Sequence, residues 1–437
     1  MTVLDAAWRA LSEDPAALAL VRDRASEIPL PSRLPVARLV HDAIAAASLS
    51  AAFLQARRTG SAVPQVELDP LRVATAVTSD RHFRIDNEPM NPWAELSGFW
   101  PAADGWVRTH ANYPHHRERL LAGLGLPDST TADELLAHLH RRTAQDIEDS
   151  VTASGGIAVA VRPEGELPLP GGPLVELSSL GEAPAAALPT ADLPAAGVRV
   201  LDLTRVIAGP VATRTLALWG ADVLRVDSPR HPEVGWQHLD TGAGKRSALI
   251  DFEREPAALD ELLERADVVV TGYRPGALDR FGLSPAALAE RRPGIIVARV
   301  SAWGQHSERR GFDSIVQAAS GIAWIESTDG AKPGALPAQA LDHAAGYLLA
   351  AGITSALRRR LDEGGSWLVD TSLARVAAEL LSLERPRQRR AAPQPWRPTT
   401  IVRATVTSAA AAPHYDGGPD DWATPAVPWG TSGPAWR

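Results

Sequence analysis

The spacing of apolar positions changes along the chain, and each change marks a different kind of element. Between His41 and Leu54, Ile44, Leu49, Phe53 and the intervening alanines recur at helical spacing. From Val198 onward the runs are short and apolar: Val198–Leu203, Ala221–Val226, Val268–Val270 and Ile295–Val300 read as buried strands. Pro210–Trp219 reads as a helix with proline in its first turn, and a long apolar helix is predicted from Asp342 to about Arg360. Alternation of strands and helices at this pace favours a parallel sheet with right-handed crossovers. The predicted class is α/β, a Rossmann-like, doubly wound parallel sheet whose ligands bind beyond the carboxyl ends of its strands.

Elsewhere the pattern breaks. Residues 166–196 are rich in Pro, Gly and Ala and read as an extended connector. It separates a folded region of helices and short strands, residues 1–165, from the catalytic region, residues 197–382. Residues 383–437 read as an extended tail that wraps a surface. At 437 residues, 45% hydrophobic, the chain can bury a full core and two lobes. No uncharged run of about 18 apolar residues occurs, and Met1–Ala10 lacks the unbroken apolar core of a signal peptide, so a cytoplasmic protein with no membrane partner is expected. Zero cysteines exclude disulfides, thiolate chemistry and Cys-ligated metals. A net charge of −8 argues against nucleic acid as a partner. His110, His115, His116, His138 and His140 lie close in sequence without metal-ligand spacing, so no metal site is expected.

The first strand-to-helix turn, Thr204-Arg-Val-Ile-Ala-Gly-Pro210, lacks the glycine spacing of a dinucleotide fingerprint and the Gly-Lys-Ser/Thr of a P-loop. Its amides still precede a helix N-terminus, which suits a phosphate or another anion. Taken with Gly220-Ala-Asp-Val-Leu-Arg-Val-Asp227, Gly244-Lys-Arg-Ser247, Tyr273-Arg-Pro-Gly-Ala-Leu-Asp-Arg280, Gly311-Phe-Asp313 and Gln317-Ala-Ala-Ser-Gly321, the block Val198–Pro210 strongly resembles the family III CoA-transferases of the CaiB/BaiF type. Order and spacing agree over about 185 residues. The resemblance implies a Rossmann-like large domain with a smaller α+β lobe, interlocked homodimers, and an acyl-CoA and a small carboxylic acid as partners. The CoA thioester would be a substrate, with no permanently bound cofactor. CoA contacts would fall on Val206, Ile207, Ala208, Lys245, Arg246, Tyr273, Arg274, Arg280, Ser301, Ala302 and Trp303. Asp342, in Gln339-Ala-Leu-Asp-His-Ala-Ala-Gly346, matches the family nucleophile, and a covalent aspartyl intermediate is the implied route of CoA transfer.

Plainer roles exist for the same residues. Asp342 is a candidate N-cap, Lys245, Arg246 and Arg280 are candidate surface cations, and Ser301–Trp303 is candidate strand-end packing. Two other functions compete: acyl-CoA racemisation, which needs an acid and a base flanking the α-carbon, and noncatalytic CoA binding. In racemase relatives a His precedes the Asp of the Gly-x-Asp block; Phe312 stands there, which counts against that reading. Two departures from the family pattern are visible. Gly272 stands where many members carry Asn, and no glycine-run loop follows Asp342 beyond Asp416-Gly-Gly and Trp429-Gly-Thr-Ser-Gly. Finally, Ala45–Gly60 with Val66–Ala74 weakly echoes Ala350–Gly365 with Leu368–Ala377. Residues 1–165 therefore read as a degenerate copy of a C-terminal half placed ahead of a first half. Arg38 falls at the nucleophile position and Asp42 one turn away, so that copy is expected to be noncatalytic.

Overall fold

The computed structural model describes residues 1–386 and 396–437. In chain order the elements that build the site are helix α1 (Val36–Thr59), strands β1 (Gly98–Pro101), β2 (Trp106–Thr109), β3 (Ala158–Ala160), β4 (Glu176–Gly181) and β5 (Arg199–Leu203), and helix α2 (Ala208–Leu218). They continue with β6 (Asp222–Asp227), β7 (Lys245–Leu249), β8 (Val268–Thr271), β9 (Ile296–Ser301), helices α3 (Asp313–Ala319) and α4 (Ala340–Asp362), and β10 (Ser366–Ser372).

Apolar β-branched runs covered on both faces make the central sheet: Val268, Val269 and Val270 are fully buried, as are Ile296 and Val297. Its order is β7-β6-β5-β8-β9-β10-β4, parallel throughout except for the antiparallel edge strand β4. Strand order reverses between β5 and β8, which opens a crevice at their carboxyl ends.

The stretch read as a connector needs correction, because Glu176–Gly181 within it is β4 of this sheet. A strand with a serine pair and a terminal glycine carries little apolar signal, and only its pairing with β10 reveals it. The tail needs a similar correction. Thr400–Arg403 and Val406–Ala409 form a sheet with Arg84–Ile85 and Glu88–Pro89. Beyond them, Gly430 and Ser432 donate their amides to Ser247, so the tail covers the free edge of β7. The Trp429–Gly433 glycines thus lie on a sheet edge.

The echo between α1 and α4 becomes direct packing. Ser50 Oγ meets Ser355 Oγ at 3.3 Å and Arg57 Nε donates to Asp362 Oδ1, so the helices lie side by side and run in the same direction. Alanine and serine at the contact allow close approach. By length and composition α1 could cross a membrane, but 89% of its most apolar window is buried inside this protein. The strand that follows α1 is only Val66–Glu67, paired with Val21–Arg22 apart from the main sheet. Asp42 is buried and committed to the amide of Leu4, to His41 and to Arg38.

A smaller lobe carries the antiparallel sheet β1-β2-β3. One face packs on the helices Pro114–Leu124, Ala132–Leu139 and Ala144–Ala153; the other packs Val159, with Phe99 and Trp106, against Ile315, Ala318 and Ala319 on and beside α3. The lobe therefore leans on the helix that precedes α4.

Packing of the connector against α4's end is testable at Gly364. It has φ +75°, and a Cβ there would collide with the Ala183 carbonyl and meet Ala185 N at 2.8 Å. Gly364→Ala is expected to lower unfolding free energy by about 2–4 kcal/mol in urea titration; a change under about 0.5 kcal/mol would show that residues 183–185 do not pack there.

Candidate active site at the carboxyl ends of the strands

Helix α4 is set against α2 by Gly346, where a Cβ would lie 2.5 Å from the Ala208 carbonyl oxygen. Asp342 lies one turn before Gly346 on the same helical face, so this close approach puts its carboxyl at the β5–α2 turn. It is the third residue of α4, whose N-cap is Gln339, so the simple capping role does not apply. The capping comes from another helix. Asp313 Oδ2 accepts the Asp342 amide at 2.9 Å and also receives the Leu341 amide, while Oδ1 accepts from Gln317 Nε2. Asp342's own carboxyl has no hydrogen-bond partner among the described residues and borders a cavity with Val206, Ile207, Trp93, His110, Trp236 and Phe312.

Two carboxyls are thus buried side by side. Burial raises the pKa of Asp342 well above the usual carboxylate value, and the charge of Asp313 adds to the rise. Asp313 is also raised, by burial, against the pull of the amides it accepts.

The turn itself is strained. Val206 has φ +71°, a left-handed conformation that a β-branched residue rarely adopts, and its amide donates to Glu233 Oε2 at 3.3 Å. Arg225, fully buried, pairs with Asp227 and Glu233, and Glu233 also takes Arg205 and the Tyr113 hydroxyl. This network holds the turn in that conformation.

The candidate CoA residues separate into four groups. Val206 and Ile207 line the cavity of Asp342, and Ala208 begins α2 beside them. Tyr273, Arg274, Ser301, Ala302 and Trp303 line a neighbouring small cavity at the ends of β8 and β9. Arg280 lies exposed on the rim, paired with Glu253. Lys245 and Arg246 are placed otherwise. Lys245 is 3% exposed and donates to Asp202 Oδ2 at 3.0 Å and Pro210 O at 2.9 Å, so it braces the turn from below. Arg246 starts β7 and binds both oxygens of Asp222 at the amino end of the sheet, away from the crevice. Both basic residues are thus engaged by aspartates of strands β5 and β6.

Sequence reasoning missed Asp313 as a partner of Asp342, and it missed the N-terminal region's part in the site. Trp93, Arg108 and His110 come from residues 1–165. His110 stacks on Phe312 with ring centroids 3.8 Å apart and planes 6° from parallel. Burial pushes its pKa down to about 3, helped by Arg108, so the imidazole is neutral. The signal was present in Trp106-Val-Arg108-Thr-His110, whose alternation puts all three large side chains on one face of β2. His116 meets His110 edge-on and His115 meets His116 in the same way; among the described residues no metal-holding group of His, Asp and Glu occurs.

Residues 195–412 match CoA-transferase family III. The chain is similar to that family through this region. It is 34% identical over 205 residues to a probable fatty acyl-CoA transferase of Mycobacterium tuberculosis, covering 43% of this chain and 52% of the relative. It is 31% identical over 211 residues to the succinyl-CoA–L-malate CoA-transferase alpha subunit of Chloroflexus aurantiacus, covering 43% and 49%. A solved structure of the mycobacterial protein aligns with 44% of this chain and 56% of that one at 34% identity and a TM-score of 0.41. The chain spans about half the length of the curated relatives it matches. The CoA-transferase region contains Asp313 and Asp342 but excludes Trp93 and His110, which the N-terminal region adds to the same cavity, and Arg108, which stacks on Trp93.

A carboxyl with a raised pKa stabilises the fold while protonated and loses that contribution as pH rises through the raised value. Asp342→Asn is therefore expected to raise Tm, and by more at pH 8 than at pH 5. The gain grows by up to about 1.4 kcal/mol for each pH step between the ordinary carboxylate value and the raised one. A stability difference that does not grow with pH would contradict the buried, unpaired carboxylate.

Proposed function

We propose that this protein transfers coenzyme A from an acyl-CoA thioester to a carboxylic acid through a covalent intermediate on Asp342. The observation that carries this reading is the placement of an unpartnered, buried carboxyl at the strained β5–α2 turn, in a cavity at the strand-order reversal of a family III region. CoA follows the β5–α2 turn at Val206 and Ile207 and the Tyr273, Arg274 and Ser301–Trp303 cavity, with the exposed Arg280 as a further phosphate contact. The thiol end reaches Asp342.

The chemistry balances without an outside reagent. The Asp342 carboxylate attacks the thioester carbonyl, the C–S bond breaks, and CoA leaves as thiolate with a mixed anhydride on the enzyme. The thiolate then attacks the aspartyl carbonyl, releasing the donor acid as a carboxylate and leaving an aspartyl–CoA thioester. An acceptor carboxylate reverses the two steps. A thiolate, with a reference pKa of about 8.5, is a tolerable leaving group at neutral pH. Asp342 must be ionised to attack, so its raised pKa governs the acid limb of the pH profile. Asp313→Asn removes the like charge while keeping an oxygen acceptor, and that limb is expected to move to lower pH.

His110 favours a second reading. It occupies the cavity beside Phe312, so a neutral imidazole and a carboxyl border the same space after all, as α-carbon proton exchange requires. Incubation with an acyl-CoA in deuterium oxide separates the two. Deuterium at the α-carbon without loss of CoA favours isomerisation.

For the transferase, treatment with mixed acyl-CoAs followed by hydroxylamine is expected to leave a hydroxamate on the peptide carrying Asp342, and none in Asp342→Asn. Intact CoA binding with no labelled carboxyl would reject the covalent route.

A further inference from the structure

Arg108 is a buried cation without a counter-ion. It is 7% exposed, lies between the rings of Trp93 (4.6 Å to the centroid) and Phe99 (4.9 Å), and its Nε has no hydrogen-bond partner. No hydrogen bond or ion pair to its guanidinium occurs among the described residues. Asp313 attracts it at longer range only, because both Asp313 oxygens are occupied by the amides of α4 and by Gln317. Two aromatic faces offset part of the cost of burying the charge, and they also fix the guanidinium in place. Such a group is costly unless a ligand completes it.

Its position shows which ligand. Arg108 on β2 and His110 just beyond it alternate onto the same face, toward α3; Trp93 and His110 both line the cavity of Asp342, and Arg108 stacks on Trp93 directly behind that lining. The cavity therefore has a nucleophile at one wall and a preorganised cationic fork behind another, with aromatic surface between. We propose that Arg108 receives a carboxylate of the substrate, and that the acid handled at this site carries a second carboxylate remote from its reacting end. A planar guanidinium suits bidentate carboxylate binding, and its rigid aromatic clamp limits the cost of ordering it. The substrate class rests on the transferase reading, but binding of the free acid does not.

Succinate and butyrate have the same carbon chain and differ by one distal carboxylate, which makes them the probes. Calorimetry of the full chain is expected to show succinate binding at least about thirty-fold tighter than butyrate. Arg108→Gln should erase that preference while leaving butyrate affinity within about threefold. Arg108→Lys should recover only part of it, because an ammonium cannot form the fork. Circular dichroism and Tm confirm that each variant folds. In transfer assays, succinate should beat butyrate as acceptor by a similar factor, with the Arg108→Gln loss in KM. Equal loss for both acids would place Arg108 on the reacting carboxylate and overturn the dicarboxylic assignment. No change for either would overturn the receptor altogether. Selective succinate binding with no transfer of any acyl group would uphold the receptor and reject the transferase reading.

Discussion

Everything at the site depends on how helix α4 is held. It lies beside α1 along its length and against α2 at Gly346, so nearly all of it is buried, and its first turn cannot relax into solvent. Asp313 then takes two amides of that turn, which replaces an ordinary side-chain cap with a carboxylate from a neighbouring helix. The same arrangement that fixes Asp342 also sets a second carboxyl beside it. Rigidity and a raised pKa have one origin. Removing the packing would free the helix end and lower the electrostatic cost together.

The cavity has walls from two parts of the chain with different histories in the sequence. The family III region supplies the sheet, the strained turn at Val206 and both aspartates. Residues 1–165 supply α1, which buries α4, and the small sheet whose strand β2 leads to His110 in the cavity wall and holds Arg108 against the cavity-lining Trp93. In this fold the N-terminal region is a working wall of the site as well as a packing partner. The tail occupies the free edge of β7 and completes the surface of the large sheet.

Much of the large domain was legible in the sequence because buried parallel strands are written in β-branched runs, and the five segments predicted from Val198 to Val300 fall within two residues of observed elements. Strand β4 was not, since an edge strand of polar residues reads like linker until its partner is known. Asp342 could be singled out because the residues around it form a local pattern. Arg108 could not, because its meaning comes from what is missing around it, and an absent counter-ion has no sequence signature. Lys245 and Arg246 show the converse case. A motif located them, yet their partners Asp202 and Asp222 lie 43 and 24 residues away in sequence and decide what they do.

The central claim is that Asp342 receives the acyl group in a cavity shared by the two regions. A structure of the protein with CoA bound tests it most directly. The pantetheine is expected to pass Val206 and Ile207 with its sulfur within about 3.5 Å of the Asp342 carboxyl and with His110 and Trp93 lining the space beyond. A sulfur directed away from Asp342, or CoA lodged outside the β5–β8 crevice, would contradict it.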